Sequence, residues 1–189
     1  MLNLNNTISK ANATQLVTDY LESVHDIGAS IAGLKGLPLL EALKREPIRS
    51  GPYPHVALFE AANRIMTDLV ILCGVKWLLF KDVFPFESYS VEFGTEDKEG
   101  FDLRASRGDK ALVGEAFNVA PSFFQVKKGK MLKKLREPSV RADYKIIMCN
   151  HDAVTAHYIP KQRPDEFFVF VNVGTGNSYM VPDHPISSG

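Results

Sequence analysis

Residues 100–119, GFDLRASRGDKALVGEAFNV, decide how this chain is read. Two short runs that alternate apolar and polar residues flank the polar segment SRGDK, so the stretch predicts two strands joined by a tight turn. Each strand carries an acid where an apolar residue is expected: Asp102 in FDLRA and Glu115 in LVGEAFNV. A carboxylate in a central strand is costly to bury unless it is paired or binds a cation. Two such acids side by side at a sheet edge can hold a divalent ion through oxygen ligands. Gly114, next to Glu115, leaves room for a ligand or another backbone. The competing reading makes Asp102 and Asp109 turn-flanking acids beside Gly100 and Gly108.

Working outward, residues 88–94 (SYSVEFG) alternate as a strand and 95–100 (TEDKEG) form a charged turn. Downstream, Ser122 is the expected N-cap of an amphipathic helix over 123–136, with Phe123, Phe124, Met131, Leu132 and Leu135 on its apolar side. Residues 144–149 (YKIIMC) and 166–173 (EFFVFVNV) complete five strands, and the tail from Gly174 reads as turn-rich and loose. Upstream, 55–79 is the longest predicted helix. Its apolar stripe runs through Val56, Phe59, Ala62, Ile65, Met66, Leu69 and Leu72, and Glu60, Arg64 and Asp68 sit on another face. Helices are expected at 11–25 and 39–45, the second opened by Pro38, and 49–54 (RSGPYP) reads as a hinge. The expected fold is therefore α/β: a central mixed five-stranded sheet flanked by helices. Residues 1–50 form an N-terminal helical region, and 51–189 the α/β core.

The formal net charge is +0, but residues 101–150 hold eleven Lys/Arg against five Asp/Glu. A basic field beside a carboxylate pair suits a polyanion; the plainer reading is a solvated helix face. Cys73 and Cys149 are expected to be buried core thiols, which suits a cytoplasmic setting. No apolar run is long enough to cross a bilayer. Cys149, His151 and Asp152 lack the spacing of a cysteine nucleophile site, His157 stands alone, and 174–177 (GTGN) reads as a turn.

The order of elements over residues 56–173, with the acids at Asp102 and Glu115, resembles the PD-(D/E)XK nucleases of the restriction-endonuclease-like fold. The resemblance implies that Asp102 and Glu115 hold Mg2+ or Mn2+, with the Ala116 carbonyl as a further ligand and Glu60 as the helix acid; Glu92 is the alternative third acid. The family's lysine, two residues after the second acid, is Phe117 here. The resemblance implies a relocated cation from the following helix, where Gln125, Lys127, Lys128 and Lys130 lie, with Lys127 or Lys128 favoured. The implied activity is metal-dependent hydrolysis of DNA, as type II restriction enzymes perform it, by a homodimer. The helices of 11–45 would then dimerise or clasp DNA. Lys127, Lys128, Lys130 and Arg107 would contact nucleic acid, and 106–110 and 155–164 would read sequence. Phe117 equally supports a second expectation, a nuclease-like module that binds nucleic acid or protein without cutting. A third is an α/β module whose two acids are incidental, lying far apart or on opposite sheet faces.

Overall fold

A computed structural model describes residues 7–94 and 100–183. The expected turn at 95–100 lies outside the described residues except for Gly100. The described residues form seven strands, where five are expected: β1 (Thr7–Ser9), β2 (Ser88–Val91), β3 (Leu103–Arg107), β4 (Lys110–Phe117), β5 (Tyr144–Asn150), β6 (Glu166–Val171) and β7 (Ser178–Val181). They form one mixed sheet in the order β1-β2-β3-β4-β5-β6-β7. The meander β1 to β4 is antiparallel, β4-β5-β6 is parallel, and β7 returns antiparallel to β6.

Both added strands fall in segments too short and polar to show alternation. Thr7–Ser9 pairs with Ser88–Tyr89–Ser90 and buries only Ile8. The tail is not loose as far as it is described: Ser178–Val181 pairs along β6 and buries Met180.

Four helices cover the sheet: α1 (Ala13–Ser23), α2 (Gly36–Arg45), α3 (Leu58–Phe80) and α4 (Pro121–Leu135). Pro38 lies in the first turn of α2 rather than before it. Ala120, not Ser122, is the N-cap of α4, and Pro121 takes the first helical position, where its missing N–H is no loss. The sheet splits the core by strand alternation. Ile146, Met148, Phe167 and Val169 face α3, while Ile147, Cys149, Phe168 and Phe170 join Phe117, Phe124 and Leu135 of the α4 side. α3 lies so near β5 that a Cβ on Gly74 would fall 2.2 Å from Met148 Sδ.

The apolar stripe of α3 is rotated from its expected place. Phe59 and Met66 are exposed, whereas Asp68 is fully buried among Ile65, Leu69 and Leu72. α1 makes this possible by packing on α3 and donating the Tyr20 hydroxyl to Asp68 Oδ2 at 2.6 Å.

At the other end of the core, Arg136 caps α4 and fixes it to β6. Its Nε and Nη2 donate to Glu166 Oε1 and Oε2 at 2.6 and 2.7 Å, and Arg163 N–H adds a third bond at 2.9 Å. Burial raises the Glu166 carboxyl, but these donors outweigh it and hold the group below its ordinary range. Stability from this pairing is therefore present above the usual carboxylate pKa and lost as pH falls through the lowered value. Arg136→Ala should cost about 3 kcal/mol at neutral pH by leaving a buried carboxylate short of its charge partner. Urea melts should show the deficit narrowing in acid.

Candidate functional site

The antiparallel register that pairs Leu103 with Gly114 and Arg104 with Val113 continues one step to place Asp102 opposite Glu115. On the other side of β3, Val91 pairs with Leu103, and Glu92 N–H donates to the Asp102 carbonyl at 2.9 Å. Glu92 just past β2, Asp102 just before β3 and Glu115 within β4 thus lie side by side at the end where β4 stops and the chain turns toward α4. Asp102 takes the Ala116 N–H and its carboxyl feels the charge of Glu115, so the two acids are neighbours rather than far apart. All three line one cleft of about 270 Å3, together with Asp68, Arg64, Lys127 and Lys134.

Each acid is held differently. Asp102 immediately precedes β3 instead of lying within it, and its Oδ2 accepts the Ala116 N–H at 2.7 Å. Burial, with repulsion from Glu115 and Glu92, pushes its carboxyl up to about 7 against the opposing effect of the Ala116 bond and Lys134. Glu115 is buried at 3% exposure. Burial raises its carboxyl too, and Lys134, Lys127 and Lys130 counter the rise. Lys134 Nζ stands 2.6 Å from Glu115 Oε1, yet that oxygen has no aligned hydrogen bond among the described residues. The same Nζ donates to the Gly100 carbonyl at 2.6 Å and lies 5.2 Å from the centre of the Phe101 ring.

The second wall comes from α3. Asp68 Oδ1 accepts Gly94 N–H at 3.0 Å, and its Oδ2 accepts the Tyr20 and Tyr53 hydroxyls. Burial raises the Asp68 carboxyl against these bonds. Gly94, at φ +69°, is needed here because a Cβ would strike the Tyr53 ring. The 49–54 segment is thereby tied to the cleft wall.

The remaining expected residues scatter. Lys127 reaches the cleft. Lys128 does not line it; it donates to Gln125 Oε1 and the Tyr158 hydroxyl at 2.6 and 2.8 Å. Lys130 is exposed and acts on Glu115 only through its charge. Glu60 is spent on Arg64 one turn along α3 and does not line the cleft. Arg107 lies at the far end of β3, near Glu87 and the Pro85 carbonyl. Ala116 contributes its N–H to Asp102, and Phe117 packs on Phe124 beneath α4. Gly114 makes room for Ile146 and Leu103, not for a ligand. Cys149 is a buried free thiol whose pKa burial pushes up, unsuited to a nucleophile.

Two residues escape the sequence reading, and both leave a signal there. Asp68 is a lone acid inside an apolar run, the pattern that also marks Glu115. Lys134 lies two helical turns beyond Lys127, which returns it to the same helix face. No family model, curated protein or solved structure matches this chain.

Among the described residues, no three or more His, Cys, Asp or Glu side chains stand close enough together to form a metal-holding group. Asp102 and Glu115 supply hard oxygen donors, one of them a buried atom without an aligned hydrogen bond. Two carboxylates fit an ion that keeps water and substrate oxygens in its remaining positions, as Mg2+ does.

With Asp102 raised to about 7, the native state holds a proton that the unfolded chain releases nearer pH 4, so stability falls as pH rises between those values. Asp102→Asn keeps an acceptor for Ala116 N–H and removes the charge. Its melting temperature relative to wild type should climb from pH 4 to pH 8 in differential scanning fluorimetry, by several degrees. A constant difference would place the buried charge elsewhere.

Proposed function

We propose that the cleft hydrolyses phosphodiester bonds in DNA with the help of Mg2+ or Mn2+. The observation that carries this reading is the meeting of Asp102 and Glu115 at the ends of two neighbouring inner strands, with Lys127 and Lys134 of α4 lining the same cleft. Carboxylates alone repel a phosphate; carboxylates flanked by cations can hold a metal and accept the anion beside it. Asp102 and Glu115 would hold the ion, which when bound supplies charge neutralisation and an activated water. Lys134, next to Glu115, takes the role expected of a relocated lysine: it fixes the Glu115 carboxylate and offers positive charge to the reacting phosphate. Lys127, half-buried on the same helix face, contacts the DNA backbone. Arg64 holds the α3 wall through the Gly94 carbonyl at 3.2 Å.

The second reading, a module that binds without cutting, draws on Phe117, whose ring is committed to the core where the family's lysine would stand. Lys134 beside Glu115 favours the cutting form.

Plasmid DNA incubated with Mg2+ or Mn2+ tests the two readings. Wild type should convert supercoiled DNA to nicked or linear forms, and EDTA should stop it. Glu115→Gln should lose at least about 100-fold in rate, about 3 kcal/mol of transition-state stabilisation. Lys134→Ala should lose about 10- to 100-fold while retaining DNA binding by filter retention. Folded wild type that cuts with neither metal yet retains DNA would establish the binding module instead.

A further inference from the structure

Beyond the acidic cleft, the C-terminal ends of the parallel strands β4, β5 and β6 open a second cavity of about 300 Å3. The two cavities meet at Asn118 and Val119, which line both. This is the edge of a parallel sheet at which ligands commonly sit. Its size is at the small end of ligand pockets, enough for one nucleoside and not for a long chain.

The chemistry of the two cavities differs. Among the described residues the cleft holds three cations, Arg64, Lys127 and Lys134. Among the described residues, the second cavity's lining has no Lys or Arg, and its one acid, Asp152, would repel a phosphate. Its other polar groups are amides and an imidazole: Asn118, Asn172 and His151. Its floor is built in advance. Asn150, 5% exposed, clamps Val119 through both backbone groups at 2.9 and 3.0 Å and donates to Asp152 Oδ1 at 2.7 Å. Asn172 Oδ1 accepts Thr175 N–H at 3.1 Å, and its Nδ2 lies 3.5 Å from His151 Nε2. The Asn118 amide has no hydrogen-bond partner among the described residues. Met66, 36% exposed on α3, adds an apolar wall suited to the flat face of a ring.

We propose that this cavity is the seat of a nucleoside of the DNA strand, adjacent to the phosphate held in the acidic cleft, with Asn118 and His151 reading the base edge. The assignment rests on the reading of that cleft as a phosphodiester site. Amide and imidazole groups offer the paired donors and acceptors that base edges require. A cavity whose described lining has no Lys or Arg contributes selectivity without counterion release, so its contacts should be insensitive to salt.

The test is fluorescence anisotropy with labelled oligomers of adenine, cytosine or thymine deoxynucleotides, in Ca2+ and again in EDTA. Wild type should rank the three by base, the best bound about tenfold tighter than the worst. Asn118→Ala/His151→Ala, its fold checked by circular dichroism, should flatten the ranking and leave the slope of affinity against salt unchanged. His151→Gln alone, which keeps a donor and an acceptor, should preserve part of the ranking. An identical base ranking in wild type and the double variant overturns the seat, as does a wild type that binds all three equally or none. Hydrolysis is read separately with bis(p-nitrophenyl) phosphate, which carries no nucleoside. Turnover of that ester by a protein indifferent to bases overturns the seat alone; base-ranked binding without turnover overturns the cutting reading alone.

Discussion

The pairing of β3 with β4 is the constraint on which the site depends. Ladder bonds fix Leu103 against Gly114, and the register can then put only one residue opposite Glu115. A shift of one residue would move every side chain of β3 to the other face and separate the acids. The bond from Ala116 N–H to Asp102 Oδ2 closes the ladder just past the end of β3, so Asp102 is held beside Glu115 by the backbone itself. Such a pair is unfavourable when left alone in a buried setting. The rest of the structure offsets it with Lys134, reaching from the last turn of α4, and α4 is held in place by Arg136 on Glu166.

The second wall answers to the same logic. Asp68 is buried in the middle of an apolar helix and is tolerated because three donors converge on it, two of them tyrosines from α1 and the segment before α3. α1 and β1 therefore do more than cover the core. β1 extends the sheet beside β2, and Tyr20 of α1 satisfies a carboxylate that lines the cleft. The N-terminal elements share a hydrophobic core with α3. No described helix is long and apolar enough to cross a membrane.

Much of this was legible in residues. Alternation located the antiparallel strands, continuous apolar runs located β5 and β6, and breakers located the turns. β1 and β7 were not legible: each is three or four residues long and becomes a strand only because a neighbour offers it unpaired backbone groups. The acids at Asp102 and Glu115 stood out as polar residues in apolar surroundings. Asp68 carried the same mark but matched an i, i+4 pattern with Glu60 and Arg64, and period alone cannot tell a solvent face from one covered by a distant tyrosine. Lys134 was not legible because it is remote from Glu115 in sequence; only the packing of α4 on the sheet brings its last turn to the acid. Lys128 failed for the converse reason, being near in sequence but turned to Tyr158 on the other flank.

Everything about the site turns on whether Asp102 and Glu115 together accept a hard divalent cation. Isothermal titration of Mn2+ into the metal-free protein measures this without reference to any substrate. A working pair requires one saturable site per chain in wild type, lost in both Asp102→Asn and Glu115→Gln and kept in Glu60→Gln. A wild type that takes up no Mn2+, or binding that survives both single replacements, would contradict it.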